Sequence, residues 1–271
     1  NPVNNNSIYD IASITKVLSV TPVTMKLIDQ RKLSLDHTIE QYYPSLYNKD
    51  MGSISIRHLL THSSGLKPFV EFYRIDSKMD RDDMLNRIFN TSLDFTPGEK
   101  MQYSDLGIII LMDIIEKVSG SSLDRLCNRW IFNPIDMSNT SYNPDKILKD
   151  NMAPTEDDDY FRNRLLLGEV HDENAFLLDG ISGHAGIFST SYDLAKYAQL
   201  HLNGGTWLGN RIFSFNRIEE FTKRQELPKG SDRALGWDTP SRNGKSSAGD
   251  YFSDHSYGHL GFTGTSLWID Q

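Results

Sequence analysis

The sequence predicts an α+β fold, because helical patterns fill its first half and the clearest strand pattern comes at its end. Residues 13–30 and 104–119 have apolar side chains at helical spacing. The late stretch "YGHLGFTGTSLWID" is rich in β-forming residues and is punctuated by glycines. Helices that precede a strand region do not form a βαβ series, so the α+β class fits the order of elements better.

The first half contains three predicted helices. The helix at residues 13–30 should be kinked or interrupted by Pro22. A short helix follows in "SISIRHLLTHSSGL" and closes at Gly65. The strongly apolar third helix should begin near Ser104 or Asp105, after the turn "TPGEK", and end before Gly120.

The second half is more irregular. An amphipathic helix is expected at residues 122–130, and residues 143–180 should make a long excursion over the surface, because their periodicity is weak and acidic residues cluster at 156–159. "STSYDLAKYAQLHLNGG" then predicts a capped helix with a glycine stop. We find no repeat and no low-complexity linker. The length allows one or two domains, and a single domain over residues 1–271 is expected.

Composition excludes several classes of function. The chain has 271 residues, of which 38% are hydrophobic and 24% charged, a profile typical of a globular domain with a sizeable core. Its formal net charge of −8 argues against a nucleic-acid partner or an anionic membrane surface. No apolar run is long enough to predict a membrane span. The single cysteine, Cys127, excludes an internal disulfide framework.

Ser13 and Lys16 can be interpreted in two ways. Ser13 could be the N-cap of the first helix, with Lys16 exposed to solvent. Alternatively, because residues three apart share one face of a helix, the Lys16 amine could reach the Ser13 hydroxyl and activate it as a nucleophile. The second interpretation requires further active-site residues elsewhere in the chain.

Two further polar motifs could complete such a site. Tyr103-Ser104-Asp105 lies at the start of the third helix, and His259-Leu260-Gly261 lies on the late strand. Together with "YDIASITKV", "IRHLLTHSSGL", "TPGEKMQYSDLG", "SGHAGIFSTSYDLAKYAQ" and "YGHLGFTGTSLWID", they resemble the class C β-lactamase-like branch of the penicillin-recognising serine hydrolases, over nearly the whole chain.

The resemblance implies a β-lactamase/transpeptidase-like α/β sandwich, with an antiparallel sheet and an all-helical subdomain. It also implies roles for individual residues. Ser13 would attack a carbonyl to form an acyl-enzyme, Lys16 would take its proton directly or through Tyr103, and Tyr103 would protonate the leaving group. The backbone N–H groups of Ser13 and Phe262, the latter following Gly261, would bind the oxyanion. His259 would position the substrate, and neither a metal nor another cofactor is implied.

The sequence also departs from the family pattern. Asp105 stands where Asn is usual; its charge could keep Lys16 protonated, which would favour Tyr103 as the base, or Asp105 could simply cap the helix. His259 and Leu260 replace the Lys and Thr that bind a carboxylate in penicillin-specific members, so β-lactams are expected to be poor substrates. The family's outer strands do not fit before Ser13 or after Gly261, so the chain is expected to be incomplete at both ends.

Three other histidines, His62, His171 and His184, could be structural or functional. His62 is interpreted as a buried structural residue, and His171-Asp172-Glu173 as a poor metal site, because consecutive residues do not converge on one ion. His184, in the glycine-flanked "SGHAG", could contact the substrate at the edge of the site.

The sequence therefore predicts a serine hydrolase that cleaves an ester or amide through an acyl-enzyme. "GEVHDENA" and "GHAGIFST" resemble bacterial hydrolases found alone or appended to a β-N-acetylglucosaminidase. That resemblance implies peptidoglycan fragments as substrates, a fused or paired glycoside hydrolase, and a periplasmic or other extracytoplasmic location. A D-amino-acid peptidase or weak β-lactamase is the alternative enzyme, and a non-catalytic module that binds peptidoglycan or β-lactams is the alternative of another class.

Overall fold

The computed structural model describes residues 2–271, and they form the predicted mixture of helices and small antiparallel sheets. The α-helices are α1 (Thr15–Leu18), α2 (Val20–Asp29), α3 (Ile56–Leu60), α4 (Phe72–Ile75), α5 (Arg81–Phe89), α6 (Asp105–Ser119), α7 (Leu123–Cys127), α8 (Glu173–Leu177), α9 (Ser191–Leu202) and α10 (Phe215–Thr222). The strands are β1 (Tyr9–Asp10), β2 (Ser141–Tyr142), β3 (Asp157–Asp158), β4 (Arg164–Leu165), β5 (Ile187–Ser189), β6 (Thr206–Trp207), β7 (Asn210–Arg211), β8 (Tyr257–Leu260) and β9 (Ser266–Ile269).

The strands pair in four antiparallel groups. β5 lies between β1 and β2, which brings the segment before Ser13 beside residues 187–189. β8 and β9 form a hairpin in which Tyr257 is opposite Ile269 and Leu260 is opposite Ser266. The strand and bend predicted from the last glycine-rich stretch are therefore confirmed, and the predicted α+β class with them.

Helix α6 is the centre of the helical part of the fold. Its residues from Leu106 to Ile115 are all buried, and α2, α3, α5 and α7 pack against it. The Ser104 hydroxyl accepts a hydrogen bond from the Gly107 N–H, and Gly120 ends the helix at a φ of 69°. Both predicted ends are confirmed. None of the helices within residues 2–271 has the length and apolar character needed to cross a bilayer.

The predicted interruption of the first helix is present, but at Ser19. Helix α1 ends at Leu18 and α2 begins at Val20, while Ser19 between them has φ −120° and ψ −88°. Pro22 lies in the first turn of α2, where its missing N–H costs little. Because the proline ring would clash with the carbonyl four residues earlier, the break precedes the proline instead of coinciding with it.

Two other segments differ in detail from the prediction. The helix expected at residues 122–130 is α-helical only through Cys127 and continues as a π-helical turn at Asn128–Phe132. The predicted excursion at 143–180 contains only short pieces: a 3-10 helix at Lys146–Asn151, the small hairpin β3–β4, and α8.

The aromatic part of the core contains one buried histidine, His201. Its ring lies 4.8 Å from that of Tyr197, 5.2 Å from that of Trp237 and 5.8 Å from that of Tyr257, centroid to centroid. Burial lowers the pKa of His201 to about 3, because the imidazolium would lose its hydration there.

This burial predicts an acid-dependent stability. Between the ordinary pKa of 6.5 and about 3, the unfolded chain binds a proton at His201 that the native protein does not. The contribution of His201 to the free energy of unfolding is therefore fully present above pH 6.5, and it is lost as the pH decreases through that window. His201→Phe should flatten the dependence of the free energy of unfolding on pH by about 1.4 kcal/mol per pH unit. Urea titrations between pH 4 and 7 measure this, with the exposed His255→Gln as control; equal slopes for wild type and His201→Phe would contradict the assignment.

Candidate active site

A buried lysine joins three parts of the chain. Lys16 Nζ lies 2.8 Å from Ser13 Oγ, 2.9 Å from the His184 carbonyl oxygen and 2.8 Å from Asp105 Oδ1. The Lys16 side chain is only 1% exposed. The predicted approach of Lys16 to Ser13 is therefore present, and the alternative of a solvent-exposed lysine is excluded.

The electrostatics of this group favour a charged lysine. Burial alone would lower the pKa of Lys16, but the adjacent Asp105 carboxylate and the Tyr103 hydroxyl outweigh burial and raise it above its ordinary value. An ammonium has three N–H donors, and Ser13 Oγ, the His184 carbonyl and Asp105 supply three acceptors. Lys16 is thus arranged as a hydrogen-bond donor to the serine.

The backbone before Ser13 is held in an unusual conformation. Ser13 lies in a 3-10 turn at Ala12–Ile14, and Ala12 has a φ of 44°, in the left-handed region that favours glycine. The buried Asp10 carboxylate accepts hydrogen bonds from the Ala12 N–H at 2.8 Å and the His171 N–H at 2.7 Å. These bonds stabilise a strained turn directly before the serine. Ser13 is not an N-cap, because that position before α1 belongs to Ile14.

Tyr103 and Asp105 reach the lysine from the start of α6. Ser104, and not Asp105, caps this helix, which leaves the Asp105 carboxylate free to pair with Lys16. The Lys16 Nζ lies 4.9 Å from the centroid of the Tyr103 ring. The Tyr103 hydroxyl is buried and, with Asp105, raises the pKa of Lys16. Of the two roles that the sequence left open for Asp105, the geometry favours the electrostatic one.

The third predicted motif, His259-Leu260-Gly261, brings the ring of His259 against that of Tyr103. The ring centroids of His259 and Tyr103 are 5.9 Å apart. His259 Nδ1 lies 2.7 Å from the Leu260 carbonyl oxygen, which can only accept, so Nδ1 carries the proton and Nε2 presents a lone pair. Burial, Lys16 and Arg233 together lower the pKa of His259 to about 3, so its imidazole is neutral at pH 7.

The tip of the β8–β9 hairpin is tied to the segment before Ser13. The Thr263 hydroxyl donates to the Asp10 carbonyl at 2.7 Å. A Cβ added to Gly261 would lie 2.6 Å from the Ile11 carbonyl oxygen, so only glycine permits this approach. The side chain of Phe262 is 83% exposed and packs against the ring of His171. The role of the Phe262 N–H as an oxyanion donor stays a prediction.

The backbone carbonyl of His184 accepts a hydrogen bond from Lys16, while its imidazole contacts Ser182 and Asp172. Its Nδ1 lies 2.7 Å from Ser182 Oγ, and its Nε2 lies 2.8 Å from Asp172 Oδ1. Although burial would raise the pKa of Asp172, the His184 imidazole lowers it to about 2. This buried chain fixes the loop whose carbonyl binds Lys16.

The acidic and histidine residues around position 172 do not converge on a metal. His171 contacts Glu156, Asp172 contacts His184, and Glu173 accepts from the Tyr160 hydroxyl. Across residues 2–271, no three His, Cys, Asp or Glu side chains are grouped as a metal would require. A cavity of about 1390 Å³ lies between the 77–81 and 143–181 segments, away from Ser13.

Sequence reasoning missed three residues around this site. Asp10 fixes the turn before Ser13, His62 packs on Tyr103 with ring centroids 4.3 Å apart, and the Arg233 guanidinium lies 5.4 Å from the centroid of the same ring. The sequence predicts a buried structural histidine at His62, and His62 is buried, but its contact with Tyr103 could not be predicted from the sequence. No local pattern marks Arg233, which comes from a loop 130 residues after Tyr103.

Comparison with known proteins gives one family for the whole chain. Residues 1–271 match the family model described as Beta-lactamase. An N-acetylmuramyl-L-alanine amidase from Bacillus subtilis (strain 168) is 32% identical to this chain, and the match covers 99% of the chain and 66% of the amidase. A Salmonella typhimurium protein whose name proposes a D-alanyl-D-alanine carboxypeptidase is 30% identical, over 98% of the chain and 67% of that protein. The chain thus spans about two thirds of the length of these relatives.

Solved structures support the fold. A penicillin-binding protein homologue from Caulobacter crescentus superimposes with a TM-score of 0.77 at 16% identity, over 99% of this chain and 76% of its own. At that identity the likeness shows the shared fold alone.

The close approach at Gly261 predicts how the site can be disrupted. Gly261→Ala should push the hairpin tip away from Ile11, because the added Cβ would lie 2.1 Å from the Thr265 hydroxyl oxygen and 2.6 Å from the Ile11 carbonyl oxygen, and the backbone carbonyl cannot rotate away as a side chain can. The labelling rate of Ser13 by a fluorophosphonate should fall at least tenfold, about 1.4 kcal/mol in the barrier. Gly264→Ala is the control, because Gly264 has open space around it and a φ of 85°, so it tests backbone strain without a clash. Equal labelling rates for wild type and Gly261→Ala would contradict this account of the hairpin.

Proposed function

We propose, from the premise that this chain belongs to the beta-lactamase family and is a serine hydrolase, that Ser13 cleaves an ester or amide in a peptidoglycan fragment through an acyl-enzyme. The observation that carries the proposal is the 2.8 Å contact between Lys16 Nζ and Ser13 Oγ inside a buried, charged group. A solvent-exposed pair of the same residues would not provide the desolvated positive charge that an attacking serine needs.

The proposed mechanism gives each residue one task. Lys16, kept charged by Asp105, donates a hydrogen bond to Ser13 Oγ and stabilises its developing alkoxide. An ammonium cannot accept a proton, so Tyr103 relays protons through its hydroxyl oxygen. As the bond between Ser13 Oγ and the carbonyl carbon forms and the bond to the leaving oxygen or nitrogen breaks, the Ser13 proton passes to the Tyr103 oxygen and the Tyr103 hydroxyl proton passes to the leaving atom. A water molecule then attacks the acyl carbon and gives a proton to the Tyr103 oxygen, while Tyr103 passes its own proton to Ser13 Oγ, and the acid is released.

Two further groups would stabilise and orient the reacting carbonyl. The backbone N–H groups of Ser13 and Phe262 would donate to the oxyanion, for which the Ala12 turn and the hairpin tip are held together by the Thr263 hydroxyl. His259, neutral and with a free Nε2 lone pair, would accept a hydrogen bond from a substrate N–H or O–H.

The substrate class is proposed from the names of relatives. One is named as an N-acetylmuramyl-L-alanine amidase and the other as a proposed D-alanyl-D-alanine carboxypeptidase, and both names describe amide bonds of the cell wall. Those relatives are longer than this chain, so their whole-protein activities support the proposal without deciding between the two bonds. An extracytoplasmic location and a fused or paired glycoside hydrolase belong to the same proposal. A single β-lactamase-like domain covering residues 1–271 is also part of it.

Ser13→Ala should abolish both the fluorophosphonate adduct and ester hydrolysis while the protein stays folded, because Ser13 makes no capping contact with α1. Intact mass after incubation with the probe and hydrolysis of a short-chain aryl ester are the two measurements. Ser191→Ala, which changes an exposed serine, is the matched control and should behave as wild type.

The outcomes separate the candidate functions. The proposed hydrolase is supported if the wild-type protein gains the adduct and releases acid from the ester, and if Ser13→Ala does neither. An adduct of unchanged mass and rate in Ser13→Ala would place the nucleophile elsewhere. Wild type that acylates Ser13 but does not turn over any ester or muropeptide would instead be the non-catalytic binding module.

A further inference from the structure

Two adjacent residues, His171 and Asp172, make hydrogen bonds to both segments that carry the nucleophile and the lysine. The backbone N–H of His171 donates to Asp10 Oδ2 at 2.7 Å, and the other oxygen of Asp10 accepts from the turn before the nucleophile. Asp172 Oδ1 lies 2.8 Å from Nε2 of His184, the residue whose carbonyl accepts from Lys16. Both catalytic segments are thus held by one dipeptide that belongs to none of the three motifs.

The dipeptide is itself held by a buried arginine. Arg162 donates to the Val170 carbonyl at 2.5 Å and to the His171 carbonyl at 2.7 Å. Its Nε lies 2.5 Å from the Asp158 carboxylate, and both of these side chains are buried. Because the guanidinium is planar and its N–H groups have fixed directions, it orients the two consecutive carbonyls that it binds. Residues 170–172 are therefore a fixed support for the site.

The imidazole of His184 connects this support to the lysine. Its Nδ1 is bonded to Ser182 Oγ and its Nε2 to Asp172 Oδ1, and the side chain is only 1% exposed. The pKa of Asp172 is about 2, so at neutral pH Asp172 is a carboxylate that can only accept, and Nε2 carries the proton. The ring cannot turn without breaking one of these buried bonds, which is costly. The His184 carbonyl is thereby kept 2.9 Å from Lys16 Nζ.

We propose that Asp172 is a positioning residue for the attack by Ser13, because through His184 it holds the carbonyl that orients Lys16. Asp105 binds the ammonium from α6 and the His184 carbonyl binds it from the loop before β5, so both segments fix the position of Nζ beside Ser13 Oγ. A misplacement of about 1 Å caused by a change far from the reacting atoms can cost about 100-fold in rate. The inference rests on the proposed function, because the step that Asp172 supports is the one that Ser13 carries out.

A purely structural role for Asp172 is the alternative that the test must separate. Asp172 also caps α8, since its Oδ1 accepts from the Ala175 N–H at 2.7 Å. Loss of a cap lowers the stability of a protein without changing the geometry of a distant site. Asp80 provides the matched comparison, because it caps α5 by accepting from the Asp83 N–H at 2.9 Å and belongs to the helical part of the fold.

The first measurement is the labelling of Ser13 by the fluorophosphonate, with the maximal rate and the half-saturating concentration determined separately. Asp172→Ala should lower the maximal rate about 10- to 100-fold and leave the half-saturating concentration within about twofold, because it displaces Lys16 and not the bound probe. Asp172→Asn should stay within about threefold of wild type, because an amide oxygen can accept the same two hydrogen bonds. Asp80→Ala should label at the wild-type rate, and thermal melting checks that each variant is folded.

A further variant tests whether Asp172 acts through His184. His184→Leu removes both ring nitrogens and keeps the backbone carbonyl, so it should lower the labelling rate as much as Asp172→Ala. The double variant should lose no more than either single variant, because the two side chains contribute through one contact. Losses that multiply in the double variant would overturn the proposed connection.

The second measurement does not depend on reactivity. The Cε chemical shift of Lys16 at pH 7 should move in Asp172→Ala and stay at the wild-type value in Asp172→Asn and Asp80→Ala. The inference is overturned if Asp172→Ala leaves either the labelling rate or the Lys16 signal unchanged, if Asp172→Asn loses as much as Asp172→Ala, or if Asp80→Ala does. Wild-type protein that gains no adduct would refute the proposed function instead, and the Lys16 signal would then decide whether Asp172 positions the lysine.

Discussion

The site depends on one buried ion pair. Lys16 and Asp105 come from different helices, and their contact at 2.8 Å compensates a charge that burial would otherwise penalise by several kcal/mol. The remaining donors of the ammonium bind Ser13 Oγ and the His184 carbonyl, so the same cation positions the nucleophile and connects it to the loop before β5. Removing one partner of a buried pair leaves the other uncompensated, which makes the pair a structural requirement as well as a chemical one.

The rest of the fold brings three distant segments to this pair. Helix α6, capped by Ser104, presents Tyr103 and Asp105 from the centre of the helical group. The β8–β9 hairpin approaches because Gly261 has no side chain and because Thr263 binds the Asp10 carbonyl. Asp10 in turn holds Ala12 in the left-handed conformation, so the strained turn before Ser13 is connected by hydrogen bonds to the hairpin.

Sequence patterns predicted the features that depend only on residues close together in the chain. The ends of α6 followed from Ser104 and Gly120, and the Ser13–Lys16 approach followed from helical spacing. The role of Asp105 could not follow, because it depends on Ser104 taking the capping position and on a partner 89 residues away. Arg233 and the bond from Asp10 to the His171 N–H join segments far apart in sequence, and no periodicity records such contacts. The position of the break at Ser19 depended on which carbonyl the ring of Pro22 would meet.

The central claim is that Lys16 is an ammonium in the resting enzyme and that Asp105 keeps it so, which assigns proton transfer to Tyr103. The most direct measurement is the pH titration of the Lys16 Cε chemical shift in lysine-labelled protein, with Lys16→Arg used to assign the signal. In wild type the shift should stay that of a charged lysine up to and beyond pH 10.5, because Asp105 raises the pKa above that ordinary value. In Asp105→Asn, burial is no longer opposed by the carboxylate, and the pKa should fall below it. A Lys16 that is neutral at pH 7 in wild type, or a titration unchanged by Asp105→Asn, would contradict the account.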